Sequence, residues 1–264
     1  MKKWIVYLAV ILAMSSSLAQ AHLDEGKEEG KYAQVESLHL AAEQGDATAQ
    51  NNLGEMFLHG DGVTQDTQEA VKWFRLAAKQ GHALAQFNLG VSYGNGQGVT
   101  QDYQEAAKWF RSAAEQGHVQ AQYYLGLSYI NGQGVKQNVE EAMKWLRLAA
   151  QQGQVQAQLK LGVSYGNGQG VAQDYPEAAK WFRLAAKQGH AKAQYYLGLS
   201  YANGLGVIQN DVRAYMWFNI ASDNGQPNAQ KNRDDVAQHM APAQIAEAQK
   251  LAHDCKKSNY KNCD

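Results

Sequence analysis

Apolar and small residues return along this chain at a fixed step. Between Asp46 and Gly81 two apolar stripes alternate with polar stretches. In the first, Ala49, Leu53 and Met56/Phe57 fall at i, i+4 and i+7/i+8, which is one face of an amphipathic helix. In the second, Ala70, Trp73, Phe74 and Ala77 make a stripe of the same period. Between them stands His59-Gly60-Asp61-Gly62-Val63, whose two glycines permit positive φ and a sharp turn. The spacing predicts a first helix over 47–58 and a second opening at Asp66, where Asp66-Thr67-Gln68-Glu69 fits a capping box. Asp102 to Glu105, Asn138 to Glu141 and Asp174 to Glu177 repeat that box, and Gly81 closes the second helix. No strand-like alternation interrupts the pattern.

The unit recurs every 36 residues. Trp73, Trp109, Trp145, Trp181 and Trp217 keep that step, as do Gly81, Gly117, Gly153, Gly189 and Gly225, and the series from Gln50 to Gln230. A period of this size marks a stack of two-helix units, none able to bury its apolar face alone. Five complete units are predicted, at 46–81, 82–117, 118–153, 154–189 and 190–225. Small residues at Gly54, Ala70 and Ala77 let helix backbones approach, and the tryptophans are expected to fill the remaining core.

The flanks carry fragments of the unit. Residues 22–45 end in Ala41-Ala42-Glu43-Gln44-Gly45, the close of a second helix without its first, and read as a half-repeat cap. Residues 226–264 start like a sixth unit at Ala229-Gln230, lose the glycine turn, and continue into a fresh helix with Pro242 in its first turn. Polar terminal units are what an open stack needs for solubility. Ahead of all this, residues 1–21 read as a secretory signal. Lys2 and Lys3 precede an apolar run of eleven residues from Trp4 to Met14, and Ala19-Gln20-Ala21 is a small-x-small cleavage site. The run is too short to cross a bilayer, which takes about 20 residues. Cleavage after Ala21 gives a periplasmic or secreted bacterial protein, with no membrane span in the mature chain.

Charge adds exclusions. The formal net charge is −1, and without Lys2 and Lys3 the balance falls to 22 basic against 25 acidic residues. That is no footprint for nucleic acid or for an anionic membrane surface. The two cysteines, Cys255 and Cys263, both lie in the tail and read as a disulfide in an oxidising compartment. His82, His118 and His190 recur at the period. Ligands a repeat apart cannot share one metal ion, so they read as polar residues after a helix cap, and no cofactor is expected.

Residues 83–117 carry the unit most fully: Ala83, Ala85-Gln86, Leu89-Gly90, Tyr93, Gly96-Gln97-Gly98-Val99, Asp102, Ala106, Trp109, Ala113-Ala114 and Gly117. This pattern resembles the Sel-one-like repeat family. Phe57 stands for tyrosine in the first unit, and Asn138 and Asn210 for aspartate in the third and fifth. The resemblance implies an all-α fold, a right-handed α/α superhelical solenoid related to tetratricopeptide arrays, and an adaptor or scaffold role. It also implies that first helices line a concave face. There the varied positions Asn51, Phe87, Tyr123, Leu159 and Tyr195, with Asn95, Asn131, Asn167 and Asn203 further along, are candidates to hold a protein or peptide partner. Alternatively, the 51-type positions pack between neighbouring units. An enzymatic alternative also comes from the resemblance, since cysteine-rich secreted relatives are linked to penicillin binding and β-lactamase activity. This chain lacks their cysteine pair in each repeat. Its Ser258-to-Lys261 and Ser222-Asp223-Asn224 matches come in reversed order without Lys-Thr-Gly, and read as chance. The expectation is therefore a non-enzymatic scaffold.

Overall fold

The computed structural model describes residues 35–263, which form thirteen helices and no strand. The signal expected at 1–21 and the start of the half-repeat cap lie outside the described residues. The chain divides into two compact units, one ending at Asp102 and the other beginning at Tyr103. The first holds α1 (35–43), α2 (Ala47–His59), α3 (Thr67–Lys79) and α4 (Ala83–Asn95). The second holds α5 (Tyr103–Glu115), α6 (Val119–Asn131), α7 (Val139–Gln151), α8 (Val155–Asn167) and α9 (Tyr175–Ala186). It continues with α10 (Ala191–Asn203), α11 (Asp211–Asp223), α12 (Ala229–Ala237) and α13 (Pro242–Lys257). Within each unit, helices consecutive in sequence pack on one another, so the fold is an all-α solenoid of two-helix repeats.

Local chemistry explains each boundary in the first unit. Asp46 caps α2 by accepting the Ala49 N–H at 2.7 Å. Gly60 ends that helix at φ +78°, returning its N–H to the Met56 carbonyl. The Gln65 side chain then donates to the Leu58 carbonyl at 2.8 Å and ties the turn to the helix it follows. Asp66 opens α3 by accepting the Gln68 and Glu69 N–H groups. The reciprocal half of the expected capping box is not formed. The Asp66 N–H donates instead to the Phe57 carbonyl at 2.9 Å, and Glu69 pairs with Lys72 at 2.6 Å. Glu141 and Glu177 likewise pair with Lys144 and Lys180. Their N-caps, Asn138 and Asp174, donate to Tyr129 and Tyr165 carbonyls.

The core corrects the role given to the tryptophans. Phe74, Leu146 and Phe218 are almost wholly buried, whereas Trp73, Trp109 and Trp145 are half-buried, and only Trp181 and Trp217 sink fully. The reason lies across the helix pair. A Cβ added at Gly54 would sit 2.6 Å from the Phe74 ring, at Gly162 2.5 Å from Phe182, and at Gly198 2.7 Å from Phe218. The missing side chain of the first helix makes room for the residue after the tryptophan, a phenylalanine or, in the third repeat, Leu146, and that side chain is the anchor. Beside it runs a buried amide series. Gln50, Gln86, Gln122, Gln158 and Gln194 each donate to a carbonyl eight residues earlier, of Ala42, Ala78, Ala114, Ala150 and Ala186. Gln50, Gln122, Gln158 and Gln194 also accept from Gln80, Gln152, Gln188 and Asn224. Those bonds satisfy groups that would be expensive to bury unpaired.

The C-terminal end of the second unit is closed by the chain itself. Helices α12 and α13 pack on α11, with Tyr215, Met240 and Ala248 in one cluster. Trp217, Ile220, Ala252, Cys255 and Cys263 join another. Cys255 and Cys263 are bonded, with Cα atoms 4.7 Å apart. Inside that loop Tyr260 takes φ +63° and reaches Asn224 with its hydroxyl, while Lys256 meets Asp223 at 2.7 Å.

Candidate functional site

The first-helix positions read from the sequence differ in their surroundings. In the first unit Asn51 is fully buried, so it presents nothing to a partner. Its Oδ1 accepts from Asn88 Nδ2 at 3.1 Å, and the same Asn88 group donates to Glu55 at 3.1 Å. The residue thus lies in a polar seam between α2 and α4, as the packing alternative requires. Phe87, on α4, is half-buried. In the second unit Tyr123, Leu159 and Tyr195 are also half-buried, on α6, α8 and α10. Leu159 and Tyr195 pack against the core that includes Leu197 and Phe218. The Tyr195 hydroxyl accepts from Asn232 of α12 at 3.2 Å.

Tyr123 is the exception among these. It rests on the cluster around Leu146 and Trp181, yet its hydroxyl makes no hydrogen bond among the described residues. Burial, with a smaller contribution from Tyr124, pushes its phenol above the ordinary range, so it stays a neutral donor. Its ring stands edge-on to Tyr124 at 5.6 Å, and Tyr124, 42% exposed, stacks on Phe110 at 5.4 Å. Tyr196 repeats that stack on Phe182 at 4.9 Å. The sequence reading missed the second tyrosine of each pair, although Tyr123-Tyr124 and Tyr195-Tyr196 recur two repeats apart. Asn95, Asn131, Asn167 and Asn203 end α4, α6, α8 and α10, and all four are exposed ahead of left-handed glycines. Asn131 Nδ2 donates to Gln133 and Asn203 Nδ2 to the Leu199 carbonyl.

The remaining polar candidates are occupied by the fold. His82, His118 and His190 are N-caps whose Nδ1 accepts the N–H of Ala85, Ala121 and Ala193 at 3.2, 3.2 and 3.3 Å. Gln154 does the same with its side-chain oxygen at 3.0 Å. Burial lowers the imidazole of His118 and, with Lys192 assisting and its own backbone hydrogen bond opposing, of His190. Among the described residues no three His, Cys, Asp or Glu side chains converge, and no helix is long and apolar enough to cross a membrane. Ser258 donates to the Cys255 carbonyl and accepts from the Asn262 N–H, so its hydroxyl serves the tail. A further repeated contact, absent from the sequence reading, joins second helices to first helices. Arg75, Arg111, Arg147 and Arg183 donate to the hydroxyls of Tyr93, Tyr129, Tyr165 and Tyr201.

Comparison with known proteins gives a consistent picture. The family model of the Sel1 repeat matches residues 47–82, 83–118, 119–154, 155–190 and 191–226, one residue later than the frame read above. A crystal structure of c5321, a protective antigen present in uropathogenic Escherichia coli strains and displaying an SLR fold, is 36% identical with a TM-score of 0.75. The match covers 86% of this chain and 52% of that one, so this chain spans about half the length of the antigen. A Sel1 repeat protein from Oxalobacter formigenes is 34% identical with a TM-score of 0.67, covering 78% of this chain and 83% of that one. No curated protein matches.

Proposed function

Since this chain belongs to the Sel1 repeat family, whose members are generally protein-interaction scaffolds, we propose that it is an exported scaffold holding a protein or peptide partner on its first helices. The observation that carries the reading is Tyr123. A large ring, half-buried and positioned by packing, offers an unpaired neutral hydroxyl beside the exposed face of Tyr124. Preformed aromatic anchors of this kind dominate protein interfaces because they bury area at little entropic cost. Exposed Asn131, at the end of the same helix, supplies amide hydrogen bonds at the rim. Leu159 and Tyr195 continue the surface on α8 and α10 of the second unit, and Phe87 gives the first unit its own half-exposed ring.

Export is supported by the charged-then-apolar start at 1–21 and by a cysteine pair suited to an oxidising compartment. The description of the uropathogenic relative as a protective antigen agrees with an exposed location. The hydrolase alternative finds no support, since Ser258 is tied into the tail. The test is crosslinking from position 131 of the purified chain to identify a partner, followed by affinity measurement. Tyr123→Ala with Tyr124→Ser should weaken binding at least about tenfold, the scale of one interface anchor. Unchanged affinity in a variant of unchanged helicity overturns the reading.

A further inference from the structure

The fifth repeat departs from the other four at one corner. Position three of the second helix is Glu69, Glu105, Glu141 and Glu177 in the first four repeats and Arg213 in the fifth. The lysine three residues on, which pairs with that glutamate, becomes Met216, which is buried. The turn changes as well. Asp61, Gln97, Gln133 and Gln169 give way to Leu205, and Thr64, Thr100, Lys136 and Ala172 give way to Ile208. Ile208 is 90% exposed, and Leu205 three residues before it is 37% exposed.

These changes surround a contact that is kept. Arg183 donates to the Tyr201 hydroxyl at 3.0 Å, as in the other repeats, and Arg213 lies 5.8 Å from the centroid of the same ring. The Arg213 guanidinium makes no hydrogen bond or ion pair among the described residues. Both arginines, with Tyr201, Val207, Ile208 and Asn210, line an open recess of about 490 Å³.

We propose that this corner binds a peptide segment in which a carboxylate sits beside an apolar side chain. The Arg213 guanidinium beside the Tyr201 ring suits a carboxylate, because a planar fork of donors matches its geometry. Ile208 and Val207 supply the apolar side of the recess, and Leu205 extends it along the turn. The corner is built by a turn and a second helix, apart from the Tyr123 surface, so failure of either proposal leaves the other standing.

The probe is a fluorescein-labelled decapeptide carrying Glu-Leu-Asp in a Gly-Ser background, titrated by anisotropy against the purified full chain up to about 1 mM. Controls carry Gln-Leu-Asn and Glu-Gly-Asp. Arg213→Glu and Ile208→Thr install residue types that other repeats already hold at these positions, so both should fold. The acidic, apolar peptide should bind saturably, and Arg213→Glu should weaken it at least about tenfold. Ile208→Thr should weaken it about threefold or more, and both control peptides should bind worse. No saturable binding, or equal binding by Arg213→Glu, overturns the proposal. So does displacement by inorganic phosphate at concentrations where acetate is inert, which would make the corner a phosphate site. Self-association through the acidic run Asp24 to Glu29, seen by sedimentation and lost in Arg213→Glu, would make the occupant a second copy and overturn it too.

Discussion

Alanine at the two glycines of one turn should have sharply different effects. Gly132 ends α6 at φ +67°, and a Cβ there would meet Gln137 at 3.4 Å, an ordinary contact. Gly134 has nearly the same φ, +71°, but its Cβ would overlap the Tyr103 carbonyl and stand 2.8 Å from the Gln104 N–H nitrogen. Both substitutions carry the left-handed cost of an L-residue, about 1–2 kcal/mol. Only Gly134→Ala adds a collision with backbone in the first turn of α5, which cannot rotate away as a side chain could. Overpacking of that kind costs about 1–3 kcal/mol. Gly134→Ala should therefore be less stable than Gly132→Ala by at least about 1 kcal/mol, or about 2–4 °C in Tm for a chain of this size. Asparagine sharpens the contrast. It tolerates the left-handed region, so Gly132→Asn should be milder than Gly132→Ala, while Gly134→Asn gains little. Thermal melts by far-ultraviolet circular dichroism read the global effect. Hydrogen exchange at the first turn of α5 reads the local one, which matters because repeat arrays need not unfold in one step. Equal melting temperatures for Gly132→Ala and Gly134→Ala, with equal exchange in α5, would refute the reasoning.

Acid should weaken the array through its histidine caps. His118 and His190 accept through Nδ1, and burial lowers both below the ordinary value of 6.5. The unfolded chain takes up these protons first, so their contribution is complete above about 6.5 and is lost as pH falls through that value towards the lowered one. Thermal melts at pH 5 and 7.5 should show a drop that shrinks in a His118→Asn, His190→Asn double variant, and an unaltered drop counts against the account. Opening the Cys255–Cys263 bond should loosen the end of the second unit. A closed loop with a sequence separation of 8 is worth about 2.5 kcal/mol in the chain-entropy estimate. Under reduction, hydrogen exchange should rise in α13 and the tail while α6 to α8 stay protected; an unchanged tail contradicts the assignment.

Much of the fold was legible because repeats punctuate themselves. Asp46, Gly60 and Asp66 each act at a helix end through their own side chain or their own φ, and such local chemistry is written in the residue type. What stayed hidden depends on the neighbour across a contact. Trp73 and Phe74 both suit the apolar stripe of α3, and nothing in the stripe says which is the anchor. Gly54 decides it by leaving space over Phe74. Asn51 falls on the varied stripe of its helix, away from the Ala49 and Leu53 face, but its partner Asn88 is 37 residues away on the next first helix. Gln50 and its copies announced their period without their role, since the role is a carbonyl on the preceding helix. Of the candidate surface, the asparagines at helix ends are exposed. The aromatic positions proved half-committed to packing, which leaves Tyr123 as the one with an unpaired hydroxyl.

An internal array supplies its own controls, and these separate what the fold needs from what it leaves open. The Arg–Tyr contact occurs four times with the same partners 18 residues apart, so its fourth copy, Arg183 with Tyr201, is accounted for by architecture alone. Arg213, Leu205 and Ile208 are not, because the glutamate and polar residues they replace serve the other repeats adequately in the same geometry. Covering by the C-terminal helices explains other changes in the fifth repeat. Tyr215 and Trp217 are buried there and pack in clusters that include residues of α13 or the tail. Ile208 has no such explanation, since it remains in solvent. A change that alters charge and exposes apolar surface, while keeping the buried contact beneath it, is the pattern expected of a surface shaped for something outside the chain.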